Sequence, residues 1–246
     1  YLHVGAIQAR KNVGRLVEAF EQLPGVEKVT VTNRVPGEWK SIPHAGVTQE
    51  NVTTDFLYLA ADEDFLPTYD IELLAGRNFR HSSADSAKIL LNETAVALLG
   101  LSDPIGQVID ITHLDDERLE NAFVAEVIGI MEDVQFESVR QQVSPTMITY
   151  YDNPLHRIDY YTLQIRPENM QQTLEGIEEV VLQFDPESPL EYHFLDDKFA
   201  ELYQTETKTA RIVGIAAIIA ILIASLGLFG LTQLTVAQKT KEVGIR

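Results

Sequence analysis

The chain has 246 residues, 45% of them hydrophobic and 23% charged, with no cysteine and a formal net charge of −18. That apolar fraction supports the core of one large or two smaller domains and excludes general disorder. The lack of cysteine excludes a disulfide scaffold, thiol catalysis and thiolate zinc sites, and the acidic balance excludes nucleic acid, whose phosphates demand a basic surface.

Taken in chain order, Arg15–Leu23 reads as a helix, with Leu16, Ala19, Phe20 and Leu23 on one face. Pro24-Gly25 stops it, and Val26–Thr32 alternates apolar and polar residues as a strand does. The middle of the chain, 55–150, reads as an inserted domain. Its strands include Lys88–Leu91, Gln107–Thr112 and Phe123–Ile130, around a short helix at Glu93–Leu99 capped by Asn92. The charged stretch Leu114–Glu120 reads as a solvated hairpin tip, and Gly76, Gly100, Gly106 and Gly129 as turns or close backbone approaches. A second helix-and-strand unit comes after it: strand Leu163–Ile165, helix Glu168–Phe184 with Ile177, Val180, Val181 and Phe184 as its apolar face, a stop at Asp185-Pro186, and strand Leu190–Leu195. The two units, near opposite ends, form a weak repeat of pattern that can pack as one layered α+β domain.

From Asp196 or Asp197 as cap, a helix carrying Phe199, Leu202 and Tyr203 along one side meets no Pro or Gly before Val213, so it is expected to run straight into the apolar segment that begins at Ile212. That segment reads as a membrane span. Ile212–Gln238 holds no charge, and Ile212–Leu231 is apolar apart from Ser225. Twenty such residues at about 1.5 Å rise reach roughly 30 Å, the hydrocarbon thickness of a bilayer. Ala216, Ala220 and Ala224 place small side chains on one face, where a neighbouring helix can approach closely. Beyond residue 211 the charges are Lys239, Lys241 and Arg246 against Glu242, which leaves 16 basic and 36 acidic residues before it. Basic flanks stay in the cytoplasm, so residues 1–211 are expected outside it.

The usual catalytic patterns are missing: no phosphate-binding G-x-x-x-x-G-K-[ST], no H-E-x-x-H and no G-x-S-x-G. His3, His44, His81, His113, His156 and His193 are scattered, and the acid pairs Asp115-Asp116 and Asp196-Asp197 suit solvated loops or caps better than a carboxylate dyad. An enzyme is not indicated, and no metal site is expected.

Several segments together resemble the MacB/FtsX-like family of ABC transporter permeases, in particular its MacB-type periplasmic core domain. They are Leu23–Val26 (LPGV), Phe65–Phe79 (FLPTYDIELLAGRNF), Leu91–Gly106 (LNETAVALLGLSDPIG), Val127–Pro145 (VIGIMEDVQFESVRQQVSP) and Lys239–Arg246 (KTKEVGIR). The likeness runs in order along nearly the whole chain; Asp133-Val134 departs from it, standing where many relatives have Asp-Phe. The resemblance implies an α+β extracytoplasmic region. Its porter-like layered domain would come from 1–54 and 151–195, with a smaller α+β subdomain inserted at 55–150, a helical stalk at 196–211, a transmembrane helix at 212–236 and a cytoplasmic segment at 237–246. It further implies a non-catalytic permease subunit of the bacterial inner membrane. Such a subunit binds no cofactor itself, and ATP and magnesium belong to a partner ATPase. Lys241, Glu242, Val243, Gly244, Ile245 and Arg246 would dock on that cytoplasmic ABC ATPase, and Ala216, Ala220 and Ala224 would pack between spans. A second permease unit, the lipid bilayer and a periplasmic adaptor or cargo complete the implied partners, and the implied work is mechanotransmission or export. The reading from another class is a single-span surface receptor with an acidic ligand-binding outer domain; an acid hydrolase using a carboxylate pair has the least support.

Overall fold

A computed structural model of the chain describes residues 2–4, 13–35, 42–49, 52–81, 83–115, 117–136, 142–155, 158–186, 190–195, 213–233 and 236. The chain divides into two units, residues 1–198 and 199–246.

In the first unit, one part is a four-stranded antiparallel layer in the order β11 (Tyr192–Phe194), β1 (Leu2–Val4), β10 (Tyr160–Ile165) and β2 (Val26–Thr32). Helices α1 (Val13–Glu21) and α4 (Met170–Phe184) cover one face of it. The reason lies in matching periods: Leu16 and Phe20 share one face of α1, as Ile177 and Val181 do on α4, while Val29 and Val31 of β2 and Tyr161 and Leu163 of β10 alternate toward them. All eight are buried. The turn between α1 and β2 requires glycine: Gly25 has φ +103°, and a Cβ there would lie 2.5 Å from Thr173 Oγ1 of α4.

The other part of this unit is a closed ring of six strands. β4 (Val52–Ala61) pairs with β3 (His44–Gln49), β3 with β7 (Val108–Leu114), β7 with β8 (Glu117–Met131), β8 with β6 (Lys88–Asn92), β6 with β9 (Thr146–Tyr150), and β9 returns to β4. The β4–β9 and β6–β8 pairs are parallel; the rest are antiparallel. Alternate residues of all six strands meet in one cluster, among them Val47, Phe56, Tyr58, Ile89, Leu91, Ile111, Val127 and Met147. Only the inside of a ring is shared by every strand, so this cluster is its interior. The intervening residues Leu57, Leu59, Leu90 and Ile148 face outward into a second cluster, with Phe65 and Leu66 of α2 (Phe65–Thr68), Phe79 and Phe136. β5 (Leu73–Gly76) pairs with β8, and α3 (Glu93–Leu98) comes directly after β6.

Most elements expected from the sequence are present within a few residues. The strands β1, β3, β4, β5 and β9 and the short α2 are additions. β4 is buried on both faces from Phe56 to Ala61, and β9 along its whole length, so neither shows the apolar–polar alternation that marks a half-buried strand. The boundary expected at residue 55 lies inside β4, whose hairpin partner β3 is also a ring strand. The charged tip is tighter than expected. Pairing of β7 with β8 continues to Leu114 and Glu117, and Asp115 is pinned back to β3, its Oδ1 accepting from His44 N at 3.0 Å and its own amide donating to His44 O at 2.6 Å.

The second unit holds helix α5 (Val213–Gln233), 21 residues long and fully exposed. At about 1.5 Å per residue it is long enough, and it is apolar enough, to cross a bilayer. The expected stalk at 196–211, with its Asp196 or Asp197 cap, lies outside the described residues, as does the segment 237–246.

Candidate functional site

Ala216, Ala220 and Ala224 lie on α5, four residues apart and exposed, so one face of the helix carries methyl groups where its flanks carry Ile and Leu. Two hydroxyls of this helix are satisfied internally: Ser225 Oγ donates to Ile221 O and Thr232 Oγ1 to Leu228 O, both at 2.8 Å. Neither hydroxyl is therefore left unpaired if the helix enters hydrocarbon. Lys241, Glu242, Val243, Gly244, Ile245 and Arg246 lie outside the described residues.

Three of the stretches that carried the family resemblance, within 65–79, 91–106 and 127–145, hold staples of the ring among their described residues. Gly76 has φ +77°, and a Cβ there would fall 2.2 Å from Ile128 O, so only glycine lets β5 lie against β8. Next to it, Arg77 grips Asp85 with two parallel bonds, Nη1 to Oδ2 and Nη2 to Oδ1, each 2.8 Å. The guanidinium, aided by the Arg80 amide at 2.8 Å, holds the buried Asp85 carboxyl below the usual carboxylate range. Asn92 is the cap expected from sequence, its Oδ1 accepting from Ala95 N at 3.0 Å. The same atom accepts from Thr146 N at 2.8 Å, and Nδ2 donates to Ser144 O at 3.0 Å, so one buried side chain joins α3 to the start of β9. Asp133 adds a second clamp on α3, accepting from Thr94 N at 3.0 Å and Thr94 Oγ1 at 2.6 Å. The neighbouring Val134, the departure from the family pattern, packs against the outer cluster of the ring.

The place where layer and ring meet was not anticipated. β2 and β4 pair through a single position, Thr32 with Ala61, reinforced by Asn33, whose amide donates to Ala60 O at 3.1 Å and whose Oδ1 accepts from Ala60 N at 3.0 Å. Beyond it the edge of β2 is taken over by a side chain. Asp62 Oδ2 accepts from Val31 N at 2.9 Å and Oδ1 accepts from Thr30 Oγ1. α2 then lies over the polar face of the layer, where Tyr69 Oη shares a hydrogen bond of 3.0 Å with Thr162 Oγ1 and Lys28 Nζ donates to Pro67 O at 2.6 Å. Burial pushes the Asp62 carboxyl up to about 8 despite its two donors, and the adjacent Asp64 and Glu63 charges add to the rise. One sequence signal marks this residue: Asp62 directly follows the apolar run Phe56–Ala61, where the chain has no room for a solvated acid.

Chemically, these arrangements hold and position parts of the fold. Among the described residues no three His, Asp or Glu side chains gather as a metal site. His81 instead shares a hydrogen bond with Glu63, Nδ1 to Oε1 at 2.8 Å.

Solved structures share this fold. The periplasmic region of MacB from Actinobacillus actinomycetemcomitans superposes with a TM-score of 0.58 at 13% identity, over 82% of this chain and 92% of that one. A domain of a putative permease protein from Porphyromonas gingivalis gives 0.52 at 19% identity, over 78% and 88%. The extracellular domain of the noncanonic ABC-type transporter YknZ from Gram-positive bacteria gives 0.53 at 11% identity, over 78% and 98%. No curated protein matches the chain in sequence. The family described as the MacB-like periplasmic core domain matches residues 3–180, well over half of the 246, and this protein belongs to that family of ABC transporter permease domains.

Proposed function

We propose that this chain is part of a non-catalytic permease that couples ATP hydrolysis on a cytoplasmic ABC ATPase to movement of the domain outside the inner membrane, for export or mechanotransmission. The observation that carries this reading is the union, in one chain, of a MacB-like periplasmic core domain with an apolar helix none of whose described residues is buried. Such a helix needs lipid or other helices around it, and the alanine face supplies a surface for a neighbouring span or for a second permease unit. In this reading the four-stranded layer, drawn from both ends of residues 1–195, serves as the porter-like part and the ring as the inserted part. Residues 196–211 form the stalk, and Lys241–Arg246 form the docking segment, where charged Lys241, Glu242 and Arg246 flank Val243 and Ile245.

These 246 residues hold no cysteine, so orientation is testable by single-cysteine labelling once any cysteine elsewhere in the permease is replaced. Single cysteines placed at exposed Glu175 and at Arg246 of the full-length permease should react oppositely with a membrane-impermeant maleimide. Glu175→Cys labels in intact spheroplasts, and Arg246→Cys labels only after permeabilisation. Labelling of Arg246→Cys from outside would reverse the topology and end the proposal. With orientation established, Glu242→Lys and Arg246→Glu should each uncouple ATP hydrolysis from transport while leaving the permease folded; full coupling in both variants removes the docking role.

A further inference from the structure

We propose that Asp62 is a proton-operated latch on the joint between the four-stranded layer and the strand ring: protonated, it holds β2 against the start of α2, and ionised, it loosens that hold. The geometry singles this group out. It is a buried carboxyl at the one place where, among the described residues, strands of the two parts pair, and it stands in for the missing strand partner of β2 by accepting from Val31 N and Thr30 Oγ1. Among the described residues no cation forms an ion pair with it. Lys28 of β2 donates to Pro67 O, and His81, from the loop after β5, shares a hydrogen bond with Glu63. Glu63 and Asp64 oppose a further negative charge, and the ring hydroxyls nearby are Tyr69 after α2 and Tyr151 after β9. With the proton in place both bonds persist, since the Thr30 hydroxyl can rotate to accept from the carboxyl O–H while Val31 N donates to the other oxygen. Without it, an anion held by two donors but by no cation sits out of water, and opening the joint to solvent relieves that desolvation cost.

The direction of the pH dependence comes from linkage. The closed joint raises the carboxyl from 3.8 to about 8, so its stabilisation is complete below pH 3.8, is lost steadily as pH rises, and is gone above about 8. The test is hydrogen exchange on the full chain in a lipid nanodisc from pH 5 to 9, corrected for intrinsic exchange. Readouts are the amides of Val31 and Asn33, with the amides of Ala95 and Val127 inside the ring as reference. Wild-type protection at the joint should fall by up to about tenfold per pH unit between 5 and 8 and then level off, while the ring amides stay flat. Asp62→Asn, which keeps both hydrogen bonds without a charge, should abolish the slope at the joint. Thr30→Val, which removes one donor and preserves the β-branched shape, should carry the levelling point to higher pH. A flat wild-type profile, or the same slope in Asp62→Asn, overturns the latch.

Discussion

The layer and the ring are built from the same alternating strands, yet they bury them differently. The layer hides one face under α1 and α4 and leaves a threonine-rich face, with Thr30, Thr32 and Thr162, for α2 to cover. The ring has no such division, because its inside and much of its outside are both apolar. A part with one apolar face can dock against another body through polar contacts, and the joint at Asp62 uses that freedom. A part closed on itself has no unpaired edges within its circuit and acts as a rigid block.

Truncation inside each part tests this difference. Phe56→Ala, in the ring interior, should destabilise the outer domain by about 3–5 kcal/mol, with Leu16→Ala in the layer at about 2–4 kcal/mol. Urea unfolding monitored by circular dichroism measures both, and a ring variant costing less than about 1 kcal/mol would contradict the rigid block.

Removing the staple that crosses the ring comes next. Asn92→Ala loses a helix cap and leaves Thr146 N unpaired, for about 2 kcal/mol, read as a fall in melting temperature. If α3 amides keep their wild-type exchange rates, the cap is not what holds the helix.

The two buried carboxyls sharpen the comparison through pH. Asp85 in the ring is held below 3.8 by Arg77, so its stabilisation is present above that value and is lost as pH falls below it. Asp62 at the joint behaves in the opposite sense, losing its contribution as pH rises from 3.8 toward about 8. Asp85→Asn should flatten the acid limb of a melting-temperature profile below about pH 4 and leave the range from about 5 to 8 untouched; a change confined to the neutral range would refute the assignment. The smallest effect belongs to the exposed Arg166–Glu27 pair on the layer, where Arg166→Ala should cost no more than about 0.5 kcal/mol by the same unfolding measurement.

Local chemistry was legible in the chain itself wherever one face of an element is polar. Leu16 and Phe20 announce α1, Ile177 and Val181 announce α4, Val29 and Val31 announce β2, and Asn92 marks its own helix. The apolar helix needed nothing but its length and lack of charge, and the family was readable from stretches whose described residues include turns, clamps and caps. Such features depend on neighbours a few residues away, which is why one sequence suffices to see them. Tertiary structure alone decided that β4 and β9 are strands, that β9 returns to β4 to close the ring, and that Asp62 is buried against β2. These rest on partners 31 to 90 or more residues distant. A segment buried on both sides carries no periodic mark of its own, and the proton affinity of a carboxyl is set by whatever the fold places around it.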